Sequence, residues 1–434
     1  MRRIKIPLDG TIFLLSFLIS LVNGSALMAI TVITPIIFLF LFKQRGALLA
    51  FILIQLRSIL NPGLFTQYEG TASIAKWAIV FLLSFYLIAT CLSQLRNRYI
   101  KDVVLWTSLF AVYCILSSLF VSSYPTVAAF KVISYIVPYI AILLGVQTVN
   151  DGEWIKRFIR PLGILLFLSI TVYRSSVGYY RNGYSFQGFF AHPNVYGVML
   201  GFFVAGYLYI EKELRIRQIV IIGISMALAI ASGSRTGILA IVIAFIVYLL
   251  TLRMRTGARV LLISVMMLAV VLLTITTDVT DSIRNIMFKG HFDSLFYSRT
   301  NQIGRNLERF FSHPLIGTGF NVPYNQELRS WAFSFEMVVE NGNIILAILA
   351  DTGIFGMILF ILAYAKLYFA GRGMLSTIFF VPFAVSMGEM SFFSTNNFGI
   401  IMYFMLAIFL ADGIKFRNGQ FEGTKSIGEY YEQE

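Results

Sequence analysis

Apolar residues run along this chain in long blocks separated by short polar connections, from about residue 10 to about residue 412. A helix needs roughly 20 apolar residues to cross a bilayer, fewer where flanking side chains snorkel. Lipid offers the backbone no hydrogen-bond partners, so helices and closed barrels alone span it. The pattern therefore predicts about fourteen spanning helices, at 10–22, 26–42, 47–60, 72–92, 103–121, 126–149, 161–177, 193–210, 218–232, 235–252, 259–277, 342–365, 375–393 and 397–412. The expected fold class is all-α: a polytopic transmembrane helix bundle in which residues 1–434 form one membrane domain. The third and ninth spans are short, and Gly233-Ser234-Arg235 alone separates the ninth from the tenth.

The block pattern fails once, between Asp278 and Asn341, which is too polar and too long for a turn. It reads as one large, partly helical outer loop. Within it Ser298 to Ser312 has helical periodicity, with Ile303, Leu307, Phe310 and Phe311 at i, i+4, i+7 and i+8. At 100° per residue Arg299 shares that face, whereas Arg305 and Arg309 point roughly the other way and read as solvated charges. Pro314 stops the helix after His313, and Gly317-Thr318-Gly319 reads as a flexible turn. Residues 413–434 form a short polar tail.

Composition agrees with the pattern. The chain is 58% hydrophobic and 13% charged, against about 25% charged in a soluble domain, so polar surface is too scarce to cover a water-soluble globule. The net charge of +13 is dispersed between apolar blocks rather than gathered in a stripe, which excludes a nucleic-acid partner. Instead it orients the chain. With the N-terminus in the cytoplasm, the inner connections hold 22 of the 34 Lys and Arg residues, while the short outer connections hold Arg57, Arg174, Arg181 and Arg235. Both termini are then cytoplasmic and 278–341 lies outside. The start, Met1-Arg2-Arg3-Ile4-Lys5 before an apolar run, imitates a signal peptide, but a second apolar run follows at once and favours an uncleaved first helix.

Ionisable residues near membrane depth are costly and mark candidate sites. Arg235, in Ser232-Gly233-Ser234-Arg235-Thr236-Gly237, offers a planar, permanently charged fork suited to phosphate oxygens, at the start of a helix whose N-terminus favours an anion. The plainer alternative is an interfacial arginine snorkelling to headgroups. Arg299 needs an anionic partner on its apolar face, either a phosphate or a carboxylate such as Glu336. His192 and Asn194 flank Pro193 at the start of the eighth span, where they can cap a helix or line a polar cavity. Neighbouring aromatics, Tyr179 to Phe190, can stack on sugars or form an interfacial belt. Glu340-Asn341-Gly342-Asn343 opens the twelfth span, with Asp351 in its middle. A carboxylate there can take a proton from a sugar hydroxyl, or simply sit at a helix start. Glu389 is a further carboxylate inside an apolar run. The three histidines, His192, His291 and His313, lack metal-ligand spacing, and neither a phosphate-binding loop of the G-x-x-x-x-G-K-[ST] type nor an Asp-rich diphosphate motif occurs. Cys91 and Cys114 lie in apolar runs.

Taken in order, three segments resemble the O-antigen ligase and O-antigen polymerase superfamily of bacterial envelope glycosyltransferases. They are Phe190-Ala191-His192-Pro193-Asn194 with Ser232-Gly233-Ser234-Arg235-Thr236-Gly237; Ser298-Arg299 leading to His313-Pro314-Leu315-Ile316-Gly317-Thr318-Gly319; and Asn341-Gly342-Asn343 leading to Asp351-Thr352-Gly353-Ile354-Phe355-Gly356. Residues before about 178 match only in hydropathy. The resemblance implies an inverting, metal-independent transfer of a glycan from undecaprenyl diphosphate at the outer face of the bacterial cytoplasmic membrane, with no cofactor. In such enzymes arginines matching Arg235 and Arg299 grip the lipid diphosphate. Ligases of the family carry a histidine next to an asparagine where this chain has Glu340-Asn341-Gly342-Asn343. That departure leaves Glu340 as the substitute base and favours a polymerase.

The expected donor and acceptor are undecaprenyl-diphosphate-linked oligosaccharides, with membrane lipid and a chain-length regulator protein as further partners. Arg235 and Arg299 would neutralise the leaving diphosphate. Glu340, or His313 in its place, would act on the acceptor hydroxyl, and His192, Asn194, Asn341 and Asn343 would line the substrate site. The competing readings are a ligase acting on lipid A-core or protein, and a lipid-linked oligosaccharide flippase. A flippase would carry two related halves and no large outer loop.

Overall fold

The computed structural model describes residues 26–252, 300–322 and 342–419, apart from isolated positions, together with a few residues between 18 and 24 and at 257 and 264. The first and eleventh expected spans, 10–22 and 259–277, lie outside the described residues except at 18, 21 and 264. So do Arg299, Glu336, Glu340, Asn341, most of the 278–341 loop and the tail beyond residue 419.

Among the described residues there are twelve α-helices. They are α1 (Ala26–Ser58), α2 (Gly70–Cys91), α3 (Arg98–Val121), α4 (Pro125–Val149), α5 (Trp154–Leu168), α6 (Pro193–Ile210), α7 (Ile216–Ala231), α8 (Arg235–Thr251), α9 (Thr300–Ser312), α10 (Ile344–Ala370), α11 (Thr377–Ser386) and α12 (Gly399–Arg417). Seven helical stretches are long and apolar enough to cross a membrane. This is a multi-pass membrane protein of all-α class.

The expected spans that fall on described residues each meet a helix, with three informative differences. The second and third spans are the two halves of α1, which breaks at Lys43 with φ of 50°. There the chain folds back so tightly that a Cβ at Gly46 would collide with the Phe38 carbonyl. α5 starts at Trp154, seven residues before the expected 161, and gives way to 3₁₀ turns at Ser169. Its buried residues Trp154, Ile155, Phe158, Ile159, Leu162, Leu165 and Leu166 keep helical spacing back to its first residue. α11 has 10 residues where nineteen were expected, about 15 Å of helix at ~1.5 Å per residue, and irregular backbone follows at 387–389 and 391–395. Irregular backbone is tolerated in a membrane protein where protein covers it, and here Phe392 and Phe393 are buried among Tyr135, Phe360 and Tyr364. At the centre of that core the Tyr135 and Tyr364 hydroxyls share a hydrogen bond of 2.7 Å.

The charge rule makes a direct prediction about orientation. Tyr184, in the connection before α6, is 79% exposed, whereas the native Cys91 and Cys114 are buried and are expected to give no background labelling. A cysteine at position 184 is expected to react with a membrane-impermeant maleimide in intact cells, and one at Arg215 only after permeabilisation. The reverse pattern would invert the bundle.

Candidate active site

Three helix starts meet at one turn. His192 caps α6, its Nδ1 accepting from the Asn194 N–H at 3.1 Å, with Pro193 in the first helical position where its missing N–H costs nothing. Ser234 caps α8 by accepting from the Gly237 N–H at 3.1 Å. Its own hydroxyl donates to the Asn194 carbonyl at 3.4 Å, which ties the two caps together. Asn343 caps α10, accepting from the N–H groups of Ile345 and Leu346 at 3.0 and 3.2 Å. The turn after α11 touches all three. Glu389 accepts from Asn194 Nδ2 at 3.0 Å, the Met387 carbonyl accepts from Asn343 Nδ2 at 3.4 Å, and Gly388 lies against Thr236. Glycine makes the approach possible: a Cβ at Gly388 would collide with the Thr236 hydroxyl, and one at Gly237 with the Gly197 backbone. Gly233, at φ of 63°, makes the turn from α7 into the Ser234 cap.

Arg235 is the first residue of α8, half-buried, between the Ser234 cap and Thr236. The start of a helix carries positive partial charge even where a side chain caps some of its N–H groups. Three such starts with an arginine on one of them make an anion-attracting mouth, and the Glu389 carboxylate sits at its rim. The structure thus brings together His192, Asn194, Arg235 and Asn343, four of the expected site residues, from three separate stretches of chain. His313 lies apart, on the exposed end of α9, with its ring nitrogen 3.1 Å from the Ser312 hydroxyl. The candidate acceptor base Glu340, the diphosphate arginine Arg299 and Asn341 are outside the described residues. Among the described residues no three His, Cys, Asp or Glu side chains gather as metal ligands.

Beside this mouth a second arrangement corrects the sequence reading. α10 breaks at Gly353, with φ of 66° and ψ of −169°. A break frees the carbonyls before it and the N–H groups after it, and buried backbone groups must find partners. The segment after α9 supplies them. The N–H groups of Thr318 and Gly319 donate to the Ala350 and Asp351 carbonyls at 3.0 Å each, and the carbonyls of Pro314 and Leu315 accept from Ile354 and Phe355 at 2.9 and 3.3 Å. Tyr113 on α3 donates its hydroxyl to the Thr352 carbonyl at 3.0 Å. Gly317-Thr318-Gly319 is therefore a buried clasp and not a flexible turn. A Cβ at Gly317 would collide with the Asp351 backbone, and one at Gly353 with Leu315.

Arg309 is also not a solvated charge. It is 3% exposed and pairs with the fully buried Asp351 at 2.6 Å, while its Nε donates to Thr318 Oγ1 at 2.9 Å. The other Asp351 oxygen accepts from the Asn321 N–H at 2.8 Å. Asp351, with both oxygens occupied, is a structural anchor rather than an acid–base group. Polar pairing, not apolar burial, chose the inner face of α9: Asn306 and Arg309 face in, and Phe311 is 72% exposed. Arg305 lies on the exposed side as expected. Lys131 on α4, buried and electrostatically coupled to Asp351, went unnoticed in the sequence, although a lysine inside an apolar span was the available signal.

Residues 219–361 match a family model described as O-antigen ligase. This stretch is similar to the O-antigen ligase domain. It runs from α7 into α10, so it contains Arg235 and the whole Arg309–Asp351 clasp, whereas His192, Asn194 and Glu389 fall outside it. It covers about a third of the chain. No curated protein matches the chain. The match supports the resemblance to the O-antigen polymerase and ligase superfamily that the motifs above carry.

Proposed function

We propose that this protein is a polymerase that joins undecaprenyl-diphosphate-linked oligosaccharide repeat units into a surface polysaccharide, at the outer face of the bacterial cytoplasmic membrane. The observation that carries the reading is the convergence of the α6, α8 and α10 starts with Arg235 on the 387–389 turn. That mouth suits a leaving diphosphate, because charge stabilisation of a departing group is usually the largest catalytic contribution. Arg235 and Arg299 neutralise the diphosphate as the anomeric C–O bond to it breaks. The acceptor is the non-reducing-end hydroxyl of a second lipid-linked unit, attacking from the opposite face with inversion. Glu340 takes its proton, and Asn343, two residues beyond the Asn341 next to it in sequence, fixes the start of α10. No metal is required, since the arginine forks and helix starts carry the counter-charge.

The test uses purified full-length protein with one synthetic lipid-linked repeat unit as both donor and acceptor. A ladder of products spaced by one repeat unit is expected. Glu340→Gln keeps size and hydrogen bonding and removes the base, so donor affinity should persist while chain growth slows by about 10²–10⁴-fold. Growth at the wild-type rate would reduce Glu340 to a helix-start charge and turn attention to His313. The family description favours one second reading, a ligase. Transfer to lipid A-core with no ladder would establish it in place of the polymerase.

A further inference from the structure

Residues 169–192 join α5 to α6, and hydrogen bonds fix this connection along its length. Asn61, fully buried, donates through Nδ2 to the Val177 and Gly188 carbonyls at 3.0 and 2.7 Å, and its backbone N–H donates to the Phe189 carbonyl at 2.8 Å. Gln187, also fully buried, accepts from the Arg181 N–H at 2.8 Å and donates to the Phe190 carbonyl at 3.0 Å. Asn182 accepts from the N–H groups of Tyr184 and Ser185 at 3.2 and 2.9 Å. Phe186 is buried against the rings of Tyr173, Tyr179 and Tyr196. On this fixed backbone two rings stand out: Tyr184 is 79% exposed and Tyr180 55%. Tyr180 rests on Gly63, where a Cβ would collide with its ring.

The same connection reaches the mouth. The Phe186 N–H donates at 3.1 Å to the carbonyl of Ala231, the last residue of α7, and the Ser185 hydroxyl lies beside Gly233. Tyr184 precedes Ser185, so its backbone stands at the edge of the mouth. Tyrosines of a membrane-interface belt sit at headgroup level with an apolar body in the lipid. Here the rings stand among polar, exposed neighbours instead: Arg174, Ser176, Arg181 and Asn182. A pyranose presents one face of C–H groups, positive at their surface, which suits the negative face of an aromatic ring. Its hydroxyls, at the rim, pair with side chains such as Arg181 and Asn182. A backbone already ordered before the ligand arrives lowers the entropy lost on binding.

We infer that Tyr184, with Tyr180, Arg181 and Asn182, forms a glycan-binding platform at the edge of the Arg235 mouth, where Tyr184 stacks on a pyranose of the donor repeat unit. The inference rests on the reading of that mouth: sugars attached to a diphosphate held at Arg235 leave it over the surrounding surface, and 180–185 is part of that surface. The platform recognises the saccharide and not the lipid, so it bears on which repeat unit is transferred.

The experiment is saturation-transfer NMR of the full-length protein, in a detergent without a sugar headgroup, with the lipid-free oligosaccharide of the synthetic repeat unit. Saturation of the protein's aromatic protons is expected to reach the C–H protons of one pyranose. Tyr184→Ala should weaken oligosaccharide affinity by about three- to tenfold, the range of one ring contact, and Tyr184→Trp should keep it. Native mass spectrometry with a bare short-chain polyprenyl diphosphate reads the mouth separately, and there Arg235→Lys should weaken binding while Tyr184→Ala does not. No transfer from the wild-type protein, or unchanged oligosaccharide affinity in Tyr184→Ala, overturns the platform. Equal weakening of oligosaccharide and bare lipid by Tyr184→Ala overturns it too, and makes the ring a membrane-interface anchor. If Arg235→Lys leaves the bare lipid bound as in wild type, the reading of the mouth fails instead, and the oligosaccharide titration still decides whether Tyr184 binds glycan.

Discussion

Replacing Arg235 by lysine is expected to lower glycan transfer by about 10²–10³-fold, the range seen when one preorganised donor to a developing anion is lost, while the protein still inserts and folds. Lysine keeps the charge but replaces a rigid planar fork with a mobile point charge, which cannot hold two oxygens of a diphosphate at once. The position makes the fork matter: Arg235 begins α8 where Gly237 meets the Gly197 backbone and Gly388 meets the Thr236 side chain, so a differently shaped cation has little room to be repositioned by a shift of its helix. Arg299→Lys should behave alike if Arg299 is the second arm of the clamp. Arg305→Lys serves as the control, because Arg305 is exposed and bonds only through Nε to the Asn301 carbonyl at 3.2 Å; its rate should stay within about twofold, in the range of ordinary surface changes. The measurement is the initial rate of transfer from a synthetic polyprenyl-diphosphate donor, normalised to monodisperse protein. Equal tolerance at all three positions would remove the diphosphate clamp.

The largest stability change is expected at the Arg309–Asp351 pair. Removing one partner of a buried ion pair strands the other charge and typically costs about 3–5 kcal/mol. Asp351→Leu leaves the Arg309 guanidinium buried at 3% exposure with Thr318 and the Gly319 carbonyl as its remaining partners. It also removes the acceptor for the Asn321 N–H. Arg309→Leu leaves the fully buried carboxylate with the Asn321 N–H and the charge of Lys131 as its remaining support. The double variant, Arg309→Leu with Asp351→Leu, removes both charges and should be clearly less destabilised than the sum of the single variants, since replacing a whole buried pair by apolar side chains is often close to neutral. Unfolding in detergent, followed by denaturant titration of all four proteins, reads the coupling directly. Strictly additive losses would show that the pair is not an interacting unit, and the clasp at the α10 break would then rest on its backbone hydrogen bonds alone. Activity should fall with the single variants as well, because the clasp holds α10, whose Asn343 cap faces the 387–389 turn.

The motifs that resembled the superfamily acquire physical reasons in this light. Gly317-Thr318-Gly319 and Asp351-Thr352-Gly353 lie about thirty residues apart and form the two sides of one joint: one supplies donors and a space without Cβ atoms, the other the broken helix that needs them. His192-Pro193-Asn194 and Ser232-Gly233-Ser234-Arg235 are likewise two helix caps that bond to each other.

What the sequence determined by itself follows from local rules. Apolar blocks became helices because a backbone in lipid must satisfy itself within one segment. His192, Ser234 and Asn343 became caps because a side-chain acceptor just before a helix serves N–H groups two or three residues away. Those interactions span few residues, so the spacing of residue types was enough. The tertiary structure decided the rest. A glycine inside an apolar run reads as tolerated helix until a neighbouring segment offers hydrogen bonds to replace the lost turn, and only the approach of 314–319 made Gly353 a break. Periodicity assigned Arg309 to the solvent face because it weighs apolar area alone. One buried carboxylate 42 residues away outweighed that stripe, since a carboxylate buried without a cation costs more than the exposure of one or two rings. Asn194 and Glu389 are separated by 195 residues and share no local signal. Their meeting depends on how α6, α8 and the turn after α11 pack, and that is set by glycine-sized gaps between helices which a one-dimensional pattern does not record.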